Sequence, residues 1–228
     1  MRKPIGIVVA LATAAFAAPL AGQGPGAAAG EGLVYPSGFL PDYARLKPVP
    51  GKGGRLAWLA PDPELRGYKR FILEPLTITI DPDAQYRGLE ADVMQRLATI
   101  YQTAFTRVLA PEYPVVNQPG PGVALCRFAI TGVTPVSPQF RPRDALPFMA
   151  AFNVARAATG TSARVARVSA EIQCEDSLTQ KLLLEAVVTG VGTKAFAENQ
   201  PIMWSDVEPV LTGWAQDFKD RLNAVQGR

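Results

Sequence analysis

The stretch Arg164-Val165-Ala166-Arg167-Val168-Ser169-Ala170-Glu171-Ile172-Gln173-Cys174 reads RVARVSAEIQC, and its side chains alternate. Ala166, Val168, Ala170, Ile172 and Cys174 fall on one side; Arg167, Ser169, Glu171 and Gln173 fall on the other. A period of two marks a strand with one face on a core and the other toward water. Glu171 is therefore expected on the solvated face. Glu175-Asp176-Ser177-Leu178-Thr179-Gln180 then supplies turn chemistry, and Lys181 to Val191 returns as a second strand, which predicts a β-hairpin.

Working outward, Val123 to Val133 is another long strand, with Ala124, Cys126, Phe128 and Ile130 opposite Arg127 and Thr131. The turn Asn117 to Gly122 precedes it, and Tyr113-Pro114-Val115-Val116 is expected to be its hairpin partner. Leu76-Thr77-Ile78-Thr79-Ile80 alternates behind Phe71 and Leu73, but Pro75 interrupts the run and predicts an edge position or a bulge. Arg55 to Leu59 is a further short extended segment.

Helical spacing appears in three places. Leu89, Val93, Leu97, Ile100, Tyr101, Ala104, Phe105 and Val108 form one stripe, with Glu90 and Asp92 at the favourable end of the helix dipole and Ala110-Pro111 as the stop. Asp144 to Ala158 reads as a short alanine-rich helix whose Phe148, Met149 and Phe152 pack on the sheet. Val207, Val210, Leu211, Trp214, Phe218, Leu222 and Val225 form the last stripe, and Ser205-Asp206-Val207-Glu208 has the spacing of a capping box. The pattern predicts a single α+β domain over residues 35–228. Its sheet is mostly antiparallel (mixed), of about five strands, with two to three helices as cover.

The N-terminus carries a different signal. Met1-Arg2-Lys3 is a basic start, Ile5 to Ala17 is apolar, and Ala15-Phe16-Ala17 has the small-x-small form that a signal peptidase reads. A signal peptide over residues 1–17, cleaved after Ala17, is expected. The apolar run is shorter than the roughly 20 residues that a membrane-spanning helix requires, so no transmembrane helix is expected in the mature chain. Cleavage removes Arg2 and Lys3 from a total of 23 bases and leaves them nearly balanced against 20 acids. Residues 18–34 are rich in Gly, Ala and Pro and read as a flexible linker. With the bases scattered and no basic block, no nucleic-acid partner is expected.

The sequence contains no histidine, which removes Ser-His-Asp and Cys-His nucleophile systems and His-ligated metal sites from consideration. Glu171, Glu175, Asp176 and Glu185 gather around one hairpin and keep a carboxylate-based hydrolase as a distant alternative. Gly190-Val191-Gly192-Thr193-Lys194 has the wrong order and spacing for a phosphate loop. Asp81 and Asp83 fit a turn better than a calcium loop. Trp58, Trp204 and Trp214 read as core or rim residues. Cys126 and Cys174 are the only cysteines, in a chain expected in an oxidising compartment. If their strands pair antiparallel, the two sulfurs meet and form a disulfide; the competing reading is two buried thiols on strands that are not neighbours.

Four stretches together carry a resemblance: SGFLPDYARLKP from Ser37 to Pro48, the Pro119 to Gly122 turn with VALCRFAITGV, the turn EDSLTQKLL, and WSDVEPVLTGWAQDFKDRL near the C-terminus. In that order they resemble the bacterial envelope family known as domain of unknown function 3313. The resemblance implies a signal sequence, a lipidated cysteine and no catalytic residues. Two departures stand out. Gln180 and Lys181 replace the family's Gly and Glu, and no cysteine follows the signal run. A soluble periplasmic protein without a cofactor is therefore expected, non-catalytic and binding a protein partner or envelope component. A carrier of a small apolar ligand or lipid is the alternative. Ser37 to Leu59 is expected to be a docking segment that folds back on the domain through Phe39, Leu40, Tyr43 and Leu46.

Overall fold

The computed structural model describes residues 36–50, 55–79, 91–136, 164–197, 200 and 202–228. In chain order the elements are β1 (Lys47–Pro48), β2 (Leu56–Leu59), α1 (Asp62–Leu65), β3 (Arg70–Leu73), β4 (Thr77–Ile78), α2 (Ala91–Leu109), β5 (Val123–Val136), β6 (Arg164–Asp176), β7 (Leu182–Phe196) and α3 (Trp204–Gln226). The sheet runs β1-β2-β7-β6-β5-β3, with β4 also on β5. β3 and β4 pair with β5 in parallel and the other pairings are antiparallel, so the α+β fold has a mixed sheet of seven strands. The sheet exceeds the expected size because two strands, β1 and β4, are only two residues long.

β6 is the middle of the sheet, as its alternation requires. Phe128, Ile172 and Ala186 lie side by side on β5, β6 and β7 and face the helices. Phe128 meets Tyr101 and Phe105 of α2 at centroid distances of 5.0 and 4.8 Å. α3 crosses β7 closely. A Cβ at Gly190 would lie 2.4 Å from Val210 Cγ1, and one at Gly192 would lie 2.6 Å from the Asp206 carbonyl oxygen. The Gly190 to Lys194 run is thus strand, and its glycines serve helix approach.

Two local readings are corrected, and the interruption at Pro75 with its edge position is found as expected. Tyr113 to Val116 is no hairpin strand. The Phe71 N–H donates to the Pro114 carbonyl and the Val116 N–H donates to the Phe71 carbonyl, so this segment closes the outer edge of β3, which already occupies that side of β5. The run from Phe71 to Ile80 splits at Glu74-Pro75-Leu76, where proline lacks the donor a ladder needs; both pieces lie on the outer side of β5. The last helix begins one residue before Ser205. There the Asp206 carboxylate accepts the Met203 N–H at 2.8 Å, while the Ser205 hydroxyl accepts from Lys194 Nζ at 3.2 Å. Met203 is thus the N-cap in place of Ser205, and Asp206, 2 % exposed and aimed at the free backbone donor, takes the reciprocal role that the spacing gave to Glu208. The expected helix at Asp144 to Ala158, with Phe148, Met149 and Phe152, lies outside the described residues, as do Asp81 and Asp83.

The β6–β7 turn is organised by one acid. Asp176 Oδ1 accepts the Thr179 N–H at 2.7 Å, the Leu178 N–H at 3.0 Å and the Thr179 hydroxyl at 2.9 Å, and Oδ2 accepts the Tyr68 hydroxyl at 2.9 Å. The Thr179 N–H leads these donors in holding the Asp176 carboxyl at about 2, well below the usual carboxylate range. Gln180 closes the turn at φ +59°, a conformation that suits glycine. Gln180→Gly is expected to raise stability by about 1 kcal/mol in urea denaturation, the order of the left-handed penalty for a side-chain-bearing residue.

Cys126 and Cys174 are directly opposed on β5 and β6 and are disulfide-bonded, 48 residues apart in sequence. A loop of that length is worth about 4 kcal/mol in the chain-entropy account. Reduction, or the double change Cys126→Ala and Cys174→Ala, is expected to lower the urea-unfolding free energy by that order. A midpoint unmoved by reductant would contradict the assignment.

Candidate functional site

The face of the sheet turned away from the helices carries a polar patch. Trp58, Glu185, Gln173 and Arg127 form one row across β2, β7, β6 and β5; Leu56, Val187, Glu171 and Ala129 form the next. Alternation predicted solvent here. Instead Glu171 and Glu185 are both 0 % exposed, and Val187 and Ala129 are equally buried. The expectation of a solvated Glu171 is therefore wrong, because Ser37 to Leu46 lies over this part of the sheet as a strap.

The strap turns at Gly38, whose φ is +84°, and presents donors to one acceptor. Glu171 Oε1 accepts the Ser37 N–H at 3.0 Å, and Oε2 accepts the Tyr43 hydroxyl at 2.6 Å and the Leu40 N–H at 3.3 Å. The Tyr43 oxygen also accepts the N–H groups of Gly38 and Leu40 at 3.0 and 3.2 Å, tightening the turn around itself. Burial, followed by the hydrogen bond to Glu171, pushes the Tyr43 hydroxyl above its ordinary pKa.

Of the four side chains expected to dock, only Leu40 is fully buried, at 3 % exposure; Phe39, Tyr43 and Leu46 are half-buried. One buried leucine contributes about 2 kcal/mol. A hydrogen bond to a charged group contributes a comparable amount, about 1.5–3 kcal/mol. With three such bonds on Glu171, the strap is held chiefly by polar contacts. The sequence offered one faint sign of this: Ser169 and Gln173, the neighbours of Glu171 on its own face, supply no charge to balance it.

A second chain of contacts runs beside the first. Arg45 Nε lies 3.3 Å from Glu185 Oε2, its guanidinium stands 5.7 Å from the Trp58 ring centroid, and it also pairs with Asp42 at 3.2 Å. Gln173 Nε2 donates to Glu185 Oε1 at 3.4 Å, and Arg127 donates to Gln173 and pairs with Glu175 at 3.3 Å. Burial pushes the Glu185 carboxyl up, and Arg45 only partly offsets it. The four acids once grouped as a hydrolase alternative thus serve different neighbours: Glu171 the strap, Glu185 Arg45 and Gln173, Glu175 Arg127, and Asp176 its turn. Trp58 is half-buried in β2, Trp214 is in the core, and Trp204 opens α3. Among the described residues no group of three or more His, Cys, Asp or Glu side chains is placed to hold a metal ion, and no helix is long and apolar enough to cross a membrane.

Residues 35–218 match the family described as "Protein of unknown function (DUF3313)". The chain belongs to this family. The chain is 25% identical over 183 residues to the "Uncharacterized lipoprotein YdcL" of Escherichia coli (strain K12), covering 79% of this chain and 82% of the relative. Among solved structures it is similar to the PelC dodecamer from Paraburkholderia phytofirmans, with a TM-score of 0.35, 8% identity and coverage of 66% and 88% of the two chains. It is also similar to a minor lipoprotein from Acinetobacter baumannii, with a TM-score of 0.33, 13% identity and coverage of 69% and 94%.

In the turn itself Asp176 and Thr179 make the contacts that shape it, and Lys181 pairs with Glu64 of α1. The acid pair beneath the strap yields a pH test. The Glu185 carboxyl is raised in the folded state, so its charge destabilises the fold at neutral pH, and this cost disappears as pH falls through the folded pKa. Glu185→Gln is expected to be as stable as the parent or more stable at pH 7, with any advantage shrinking toward pH 4. A variant that is less stable at pH 7 would show that the Arg45 pairing outweighs burial.

Proposed function

We propose that this member of the family is a non-catalytic periplasmic domain that binds a protein partner of the cell envelope by adding a strand of that partner to the outer side of β7. The observation that carries the reading is the unequal pairing of β7. β6 accompanies it to Phe196, but β2 covers its outer side only from Leu184 to Val187. Among the described residues no strand pairs with the outer side from Val188 onward, and Val191 is 48% exposed there. Unpaired backbone donors and acceptors on a short apolar edge invite an added strand. The register shift between Val165 and Arg167 limits the regular part of this edge to about Val188–Val191, which suits a weak or transient partner. An exported location is supported by the basic and apolar start of the chain and by the lipoprotein relative.

A carrier of an apolar ligand is the second reading, favoured by a pocket between α1, α3 and the sheet that is lined by Leu65, Tyr68, Phe71, Phe218 and Leu222. Its cavity of about 40 Å³ decides the ranking. That space holds a few water molecules, at about 10–15 Å³ for each, and is far below the roughly 300 Å³ of a typical ligand site.

A photo-crosslinking residue placed at Val191 in the living cell tests the edge. A discrete protein adduct is expected from this position and not from Asp220, an exposed site on α3. Equal adducts from both positions, or none from Val191, would overturn strand addition, and a stoichiometric lipid-sized mass on the purified protein would favour the carrier.

A further inference from the structure

The strap over the second sheet face is joined to the domain differently from the two long helices. α2 and α3 bury Leu97, Tyr101, Phe105, Leu109, Val210 and Trp214 in the core, whereas the strap from Ser37 to Leu46 fully buries Leu40 alone. Its remaining hold converges on Glu171, through the Ser37 N–H, the Leu40 N–H and the Tyr43 hydroxyl, with Arg45 reaching Glu185 farther along. The contacts internal to the strap travel with it: Gly38 and Leu40 donate to the Tyr43 oxygen, Phe39 donates to Ser37 Oγ, and Asp42 takes Ala44 and Arg45. A segment that is internally tied, and whose external hydrogen bonds gather mainly on one acceptor, is disposed to leave as a unit, since losing the first of those bonds weakens the others together.

We infer that the strap is a latch: Ser37 to Leu46 undocks from Glu171 as one piece while β5, β6 and β7 stay folded. Ten residues released from a turn into extended chain span at most roughly 33 Å. Undocking also uncovers Glu171 and Glu185, which are otherwise shut away from water. The latch is independent of any partner on β7 and can be tested without one.

Glu171 is suited to this role because it accepts on both oxygens. A glutamine in its place must aim an N–H₂ group either at the Ser37 N–H or at the side shared by Leu40 and Tyr43, so one contact becomes donor against donor. Hydrogen–deuterium exchange of the whole protein, followed by mass spectrometry, separates strap from sheet. Tyr43→Phe removes the donor to Glu171 and also the acceptor of the Gly38 and Leu40 N–H groups, so the informative strap amides are those that do not bond to Tyr43 Oη, such as Ser37, Phe39, Ala44 and Leu46; these are expected to exchange about tenfold faster or more, as loss of a charged hydrogen bond predicts. Those of β5, β6 and β7 are expected to be unchanged. Glu171→Gln is expected to extend the same selective acceleration. Strap amides that exchange at the parent rate in Tyr43→Phe would overturn the latch. So would strap and sheet amides accelerating by one common factor, because the strap would then open only with the whole fold.

Discussion

β5, β6 and β7 are 14, 13 and 15 residues long, and the sheet they form must be covered on both faces. That constraint organises the rest of the molecule. A sheet of this kind ordinarily turns one face to helices and leaves the other to water. Here the helix side is filled by α2 and α3, and the other side buries Ala129, Val187, Glu171 and Glu185. The second cover is short and polar, because a segment approaching the middle of a sheet must satisfy its own backbone donors, and Glu171 is the acceptor waiting there.

The two covers differ in kind, and this sets a gradient of stability across the fold. On the helix side, close approach is built into the backbone: Gly190 and Gly192 let α3 lie against β7 where any side chain would collide with Val210 or the Asp206 carbonyl. The disulfide across β5 and β6 fixes the registry of the same core. On the strap side one fully buried leucine, three half-buried side chains and a few polar contacts make the hold, a smaller apolar burial than either helix has. The sheet and its helices form the rigid body, and the strap is the part whose attachment can be adjusted.

The sequence was legible where periodicity reports directly on burial. The alternation of RVARVSAEIQC located β6, the stripe from Leu97 to Val108 located α2, and the opposed positions of Cys126 and Cys174 followed from pairing early and late parts of antiparallel strands. It was illegible where a second layer intervened. Alternation states which residues share a face but not what covers that face, so Glu171 read as solvated although the strap that buries it lies 128 residues away at Tyr43. Parallel pairing failed for a related reason. The partner of β5 on its outer side is β3, and nothing local at Arg70 to Leu73 announces a pairing 53 residues distant, whereas Tyr113 to Val116 was close enough in sequence to imitate a hairpin arm. Capping misled by two residues because Asp206, two positions before Glu208, is equally competent to accept from the N-cap backbone, which places the N-cap at Met203 and not at Ser205.

The motifs by which the family can be recognised all have architectural tasks in this chain. Ser37, Leu40 and Tyr43 of SGFLPDY supply the donors for Glu171. Ala129, at the start of AIT, stands directly across from Glu171 on β5, where a small residue leaves room for the carboxylate and the strap above it. Asp176 and Thr179 of DSLT build the hairpin turn, and Asp206 of WSD fixes the first turn of α3. Glu171, Asp176 and Asp206 accept from backbone or hydroxyl donors within the chain, a use that calls for fixed distance and direction, and Asp206 also pairs with Lys194. A signature composed of joints describes how a long sheet is covered and how its leading segment is attached. The strap is the joint of the set that closes the second face of the sheet, which makes Glu171 the position where the leading described segment and the sheet meet.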